Sequence, residues 1–224
     1  MGRIQGKDRM FVGLTAFIPQ KVCVAVSGGP DSMFALDFCL KDRRRVVEAI
    51  HVNHGTPNSS KYEDFVSSAC EKRNIRLDVK KISNSDKPKT LSQEECWSIC
   101  RRAFFNESRL PVVTGHNLDD AVEWWLMRAF CGQEPTILAT TNGNVVRPFL
   151  KFSKQQILDE LARQDTDYVI DPSNDPDNCV TDNDTSGYTS GKENPNLRSV
   201  VRKRFLNQID DLTRIRAAIK RRYQ

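Results

Sequence analysis

The sequence predicts an α/β protein, with a mostly parallel sheet and helices on both of its faces. Three observations carry this. Short β-branched runs recur along the chain, each is followed by a stretch with helical apolar spacing, and the first run enters its helix through a Gly-Gly turn. Strands alternating with helices in this way form βαβ units, whose crossovers make the strands parallel. A chain of 224 residues, 38% of them apolar, suffices for one domain-sized core.

The first strand is Lys21 to Val26, KVCVAV, a short apolar run of the kind buried in parallel sheets. SGGPDS follows, and MFALDFCL then has the spacing of a helix. Val46 to Val52 reads as a second strand, Tyr62 to Arg73 as a helix, and Ile75 to Ile82 as a third strand by its alternation. Leu91 to Glu107 is a long amphipathic helix, with Ser92 and Glu95 spaced as a capping box. Leu110 to Thr114 is a fourth strand closed by Gly115. The next helix, Leu118 to Phe130, opens with two acids that suit the positive end of its dipole. A strand near Val145 and a helix from Ser153 to Arg163 come next. Residues 175–196 are rich in Asp, Asn, Ser, Thr, Gly and Pro, have little to bury, and are expected to form a mobile loop. A basic helix from about Leu197 ends the sequence. No internal repeat is evident.

Composition narrows the class. A mean hydropathy of -0.54 and 28% charged residues exclude a membrane-embedded chain. The apolar stretch Phe11 to Ile18 lacks a small-residue cleavage site and runs into Pro19. Seven cysteines in a chain of this length make no disulfide or metal framework, which points to a reducing, cytoplasmic setting. The net charge of +5 is unevenly placed. Arg198 to Arg222 holds nine basic and two acidic residues, a local +7, leaving -2 for the rest. Such a segment attracts phosphate backbones, or it is simply a solvated helix face.

Ser27-Gly28-Gly29-Pro30-Asp31-Ser32 sits between a strand and a helix. A Gly-Gly turn there exposes backbone N–H groups beside a helix N-terminus, a concavity suited to a pyrophosphate-sized anion. Pro30 fits the first helical position, the two serines offer hydroxyls, and Asp31 can hold Mg²⁺ or orient the loop. No Lys follows, so the loop is not GxxxxGK[ST], and GxGxxG is absent too. His51-Val-Asn53-His-Gly ends the second strand, where a parallel sheet would face it into the same crevice. There Asn53 and nearby backbone can read adenine, or the histidines merely cap the strand. Thr114-Gly-His116-Asn-Leu-Asp119-Asp120-Ala-Val-Glu123 ends the fourth strand and starts a helix. Its three carboxylates are three and four residues apart, and so share one helical face. Clustered acids repel unless a cation is near, with Mg²⁺-ATP and a substrate ammonium as candidates. On that ground, removing Asp119 or Asp120 is expected to leave the apo protein unchanged or slightly more stable.

SGGPDS after a first strand resembles the pyrophosphatase loop of the N-type ATP pyrophosphatases. The order of the later motifs is similar to one branch, the tRNA(Ile)-lysidine synthetases, from about Val22 to Ile209 with residues 175–196 as an insertion. The resemblance extends to HxxHG at His51, to GHxxDDxxET at Gly115 with Trp124 for Thr, and to ExxARxxR at Glu95 to Arg102 with Ile99 for the first Arg. RPLL is matched at Arg147, D(D/P)SN at Asp171 to Asn174, and RNxIR at Arg198 to Arg202 with Ser199 for Asn.

The resemblance implies a Rossmann-like PP-loop fold of the adenine-nucleotide alpha hydrolase type. Residues 1–174 would form the ATP-binding catalytic domain, 175–196 a mobile loop, and 197–224 a basic helical segment completing the domain. It implies a ligase that adenylates the wobble cytidine of a CAU-anticodon isoleucine tRNA and joins free L-lysine to it. ATP would sit on residues Ser27 to Ser32 with His51, Asn53 and His116. Chemistry would fall to Asp31, Asp119, Asp120 and Glu123, Mg²⁺ to Asp31 and Asp120, and tRNA or phosphate contacts to Arg102, Arg147, Arg198 and Arg202. The family's C-terminal domains have no counterpart, so the basic tail, a homodimer partner or a separate protein would bind the tRNA. A cut after Asn207 is accordingly expected to weaken tRNA binding and spare the ATP site. Two alternatives stay open: a thiolating PP-loop enzyme, and an inactive nucleotide- or tRNA-binding homologue.

Overall fold

The computed structural model describes residues 14–82, 90, 93–170 and 212–223. A four-residue turn of helix, α1 (Leu14–Phe17), leads into β1 (Lys21–Ala25), α2 (Pro30–Leu40), β2 (Val46–Asn53), α3 (Ser59–Lys72) and β3 (Leu77–Lys81). Next come α4 (Gln93–Glu107), β4 (Val112–Val113), α5 (Leu118–Phe130), β5 (Thr141–Asn142), β6 (Val145–Val146), α6 (Lys154–Arg163) and α7 (Leu212–Arg221). The six strands lie in the order β3-β2-β1-β4-β6-β5. Every pairing is parallel except that of β5 with β6, a tight reversal through Gly143 at φ +56° that the sequence pattern did not announce.

Period-2 alternation divides the sheet's faces. Val22, Val24, Val47 and Ala49 join residues of α2, α3 and α6 in the main core, with Phe34, Phe38 and Phe149 packed edge-on within it. Cys23, Ile50 and Val112 point the other way, under Phe104 and Phe105 of α4. A third cluster joins Leu118, Ala121, Val122 and Leu126 of α5 to Leu150 and to Ile219 of α7. The α/β fold with helices on both faces is therefore as the sequence predicts.

One element differs from expectation. α7 is no solvated strip, because Ile219 is buried and Ile215 and Tyr223 pack beside it on α5. Its cations Lys220, Arg221 and Arg222 are exposed, as amphipathic spacing requires. Ser92, the expected cap of α4, and the 175–196 loop lie outside the described residues, as do Asp171 to Asn174 and Arg198 and Arg202. Among the described residues, no helix is long and apolar enough to cross a membrane.

The strand order places a reversal between β1 and β4, from which chain connections lead to opposite sides. In open parallel sheets the crevice at the carboxyl ends of such strands is the usual ligand site. The SGGPDS turn follows β1 and the GHNLDD turn follows β4 at that point.

A candidate nucleotide-phosphate site at the carboxyl edge of the sheet

Local geometry of the first loop follows from its glycines and serines. Gly28 has φ +88°, and a Cβ there would lie 2.9 Å from a Val169 methyl and 3.2 Å from the Phe65 ring. Only glycine fits. Val169 also donates its backbone N–H to the Gly28 carbonyl at 2.9 Å, closing residues 168–170 over the back of the turn. Ser32 Oγ donates to the Gly29 carbonyl at 2.8 Å and accepts from the Ser27 N–H at 3.1 Å and the Ser27 hydroxyl at 3.2 Å. The two serines thus hold the turn closed. Pro30 begins α2, whose first N–H groups and dipole face the crevice.

The second loop is pressed against the first. A Cβ on Gly115 would sit 2.4 Å from the Asp31 carbonyl oxygen and 2.6 Å from its carbonyl carbon. Asn117 caps α5, accepting from the Asp119 and Asp120 N–H groups at 2.8 and 3.2 Å. Its own N–H donates to Asp120 Oδ2 at 2.9 Å, completing a capping box. The Asn117 amide Nδ2 donates to Asp31 Oδ1 at 3.0 Å, so one asparagine joins the phosphate loop to the acidic helix. His116 shares a 2.8 Å hydrogen bond with the Thr114 hydroxyl at the end of β4.

Lys154 completes the arrangement. At the start of α6, its ammonium donates to Asp31 Oδ2 at 2.5 Å and its backbone N–H to Asp119 Oδ2 at 2.7 Å. Arg216 of α7 donates to the other Asp119 oxygen. Neither Lys154 nor Arg216 was singled out from the sequence. Each lies far along the chain from the acid it pairs with, and no local spacing links them.

The carboxylates therefore do not form the open three-acid face expected from i, i+3 and i+4 spacing. Glu123 is 2% exposed, on the inner side of α5, while Asp119 and Asp120 stand at its partly exposed first turn. Set against the expected repulsion between Asp119 and Asp120 are favourable contacts made by each. Asp120 is a cap and Asp119 is bonded to α6 and α7, so both stabilise the apo fold. Among the described residues no group of three or more His, Cys, Asp or Glu side chains is arranged to hold a metal. Asp31 and Asp120 are nonetheless both bonded to Asn117. Carboxylate oxygens are the donor type Mg²⁺ takes, and a Mg²⁺ held by one or two of them keeps its other ligands from phosphates and water.

At β2 the histidines divide. His51 is 3% exposed; its Nδ1 donates to the Val26 carbonyl at 2.8 Å, and its buried Nε2 has no hydrogen-bond partner among the described residues. It fastens the end of β2 to the residue before the phosphate loop. The Asn53 amide is spent on the turn, donating to Glu63 at 2.5 Å and accepting from the Gly55 N–H at 2.8 Å. His54 lies against Trp97 of α4, with ring centroids 5.0 Å apart. Burial, with Arg101 and then His51 nearby, pushes the His54 pKa down to about 4. The His54–Trp97 pair was not foreseen.

Of the four expected arginines, the two described ones bond to backbone carbonyls away from the loop. Arg102 is exposed and its Nε reaches back to the Ser98 carbonyl. Arg147 donates to the Ala139 carbonyl at 3.0 Å, and burial pushes its pKa down. Of the departures from the family pattern, Ile99 and Trp124 lie on exposed faces, Trp124 with the Arg128 guanidinium 5.7 Å from its ring. Cys96 is buried and Cys100 half-buried.

A doubly wound sheet with a closed Ser-Gly-Gly turn against an Asn-capped helix that opens with acids defines a nucleotide-phosphate-binding α/β protein. The particular family follows from sequence comparison. Residues 7–181 match the PP-loop domain, an ATP-binding family model, and the chain belongs to that family. It is 33% identical over 175 residues to a tRNA(Ile)-lysidine synthase of Pseudothermotoga lettingae, covering 70% of this chain and 38% of that protein. To a tRNA(Ile)-lysidine synthase of Staphylococcus aureus it is 30% identical over 219 residues, covering 90% of this chain and 47% of the relative. The chain thus spans less than half the length of these relatives. A solved U34-tRNA thiolase from Methanococcus maripaludis shares the fold, with TM-score 0.65 at 19% identity over 91% of this chain and 70% of its own.

Proposed function

We propose that this chain is the catalytic unit of an ATP-dependent tRNA-modifying ligase, one that adenylates a tRNA cytidine and joins lysine to it. The observation that carries the reading is the convergence of Asp31, Asn117, Asp119 and Lys154 at the sheet's switch point, bonded to one another across three separate elements. The 30–33% identity to tRNA(Ile)-lysidine synthases supports the choice of reaction.

In this reading the cytidine carbonyl oxygen attacks the α-phosphorus of ATP and pyrophosphate leaves. The ε-amine of lysine then displaces AMP. The turn at Ser27 to Ser32 and the N-terminus of α2 hold the leaving pyrophosphate, stabilising charge as it develops. His51 and the two serines keep that turn in shape before substrate arrives, so little reorganisation is needed during reaction. Asp31 and Asp120 are the residues that would hold Mg²⁺, which supplies charge neutralisation on the phosphates. The partly exposed acids at the start of α5 also suit the ammonium of the incoming lysine.

The test is incubation with ATP, radiolabelled lysine and an unmodified CAU-anticodon isoleucine tRNA. Label should enter the tRNA only when all three are present. Label absent from tRNA, with sulfur transferred from a donor instead, would favour the thiolating alternative. The sequence offers that chemistry no CxxC pair, since Cys96 and Cys100 are four apart.

A further inference from the structure

We infer that Lys154 is the phosphate-binding cation of this site, delivered from α6 to a loop that carries no lysine of its own. The inference rests on the loop being a pyrophosphate site. SGGPDS differs from the lysine-bearing phosphate loops in having no cation within it or directly after it. The fold supplies one from 123 residues away, with the Lys154 ammonium 2.5 Å from Asp31 Oδ2.

Two features mark this lysine as more than a structural partner. It occupies the first turn of α6, right after the cap Ser153, where the helix dipole disfavours a cation. A residue placed against a local preference is expected where function requires it. Both carboxylate oxygens of Asp31 are also occupied, one by Asn117 and one by Lys154. A metal-phosphate complex arriving at Asp31 would compete with both of these partners.

Binding therefore proceeds by exchange of partners. The pair opens, the ammonium moves to phosphate oxygens, and Asp31 turns to the divalent cation arriving with them. The side chains are 37% and 32% exposed, so the ammonium has room to move toward the crevice. No bond is made or broken covalently, and charge balances in both states.

The exchange gives two effects of opposite sign, which a merely structural ion pair does not. Isothermal titration of wild-type protein and Lys154→Gln with inorganic pyrophosphate, and separately with Mg²⁺ alone, reads both. Loss of a charge-assisted contact should weaken pyrophosphate binding roughly 10- to 100-fold. Unmasking Asp31 should tighten Mg²⁺ binding. Lys154→Arg, which keeps the charge, should recover part of the pyrophosphate affinity. Lys41→Ala serves as the structural control, since Lys41, the C-cap of α2, pairs with Glu160 of α6 at 2.8 Å.

Equal pyrophosphate affinity in wild type and Lys154→Gln would overturn the assignment, as would parallel losses in both titrations. Wild-type protein that binds no pyrophosphate would overturn the reading of the loop as well. Should Lys154→Gln fail to fold, amine acylation of wild-type protein mapped by mass spectrometry decides the matter. Protection of Lys154 by pyrophosphate supports the inference and unchanged labelling refutes it.

Discussion

Replacing Gly115 with Ala adds one methyl group where the two site loops meet. The added Cβ would stand 2.4 Å from the Asp31 carbonyl oxygen and 3.0 Å from the Asp31 Cβ, far inside van der Waals contact. The atoms in the way are mainly backbone at the start of α2, so no rotamer change relieves the clash. Overpacking of this kind costs about 1–3 kcal/mol, and rigid backbone puts Gly115→Ala toward the upper end. For a chain of this size each kcal/mol moves Tm by about 2–4 °C, giving an expected drop of roughly 4–10 °C. ATP affinity should fall as well, because the displaced atoms belong to Asp31. Thermal melting and nucleotide titration of the variant check both. Gly29→Ala is the comparison, since among the described residues its Cβ meets only the Ser27 hydroxyl at 3.5 Å and should leave Tm nearly unchanged. A Gly115→Ala protein with wild-type Tm and ATP affinity would refute the packing of the two loops.

Other outcomes follow from the same contacts. Asp120→Ala should lose about 1 kcal/mol of stability with the capping box, and a variant as stable as wild type would restore the repulsion argument. Ile219→Ala should cost about 2 kcal/mol by emptying the contact between α7 and α5, read by denaturant unfolding. Truncation before α7 should therefore impair folding and the Asp119 environment together, not tRNA affinity alone. His54, its pKa held near 4 against 6.5 unfolded, favours the neutral ring in the fold. The unfolded chain takes up that proton first, so stability should decline as pH falls from about 6.5 to about 4. The decline attributable to His54, of order 1–2 kcal/mol once solvent access is discounted, should be missing from His54→Phe.

Much of this was legible in sequence because it is local. KVCVAV, the Gly-Gly turn and the Asn117-capped helix each declare themselves through period, turn chemistry or capping within a few residues. α5 spans Leu118–Phe130 as the apolar spacing predicts. The pairs that complete the site, Lys154 with Asp31 and Arg216 with Asp119, are set by tertiary folding, and nothing in their own neighbourhoods reveals them. Charge counting is incomplete at α7 for a related reason. The sum of cations is visible in sequence, but Ile215, Ile219 and Tyr223 decide which side of that helix meets water. It is incomplete at α5 too, where capping, the Arg216 contact and the burial of Glu123 are tertiary facts.

The central claim is that this site cleaves ATP between its α- and β-phosphates when tRNA is present. Incubating the protein with tRNA, lysine and ATP labelled at the α-phosphate, then separating the nucleotides, tests it most directly. The account predicts labelled AMP in step with lysine joined to tRNA, with pyrophosphate released in equal amount. Labelled ADP, or AMP formed at the same rate without tRNA, would contradict it.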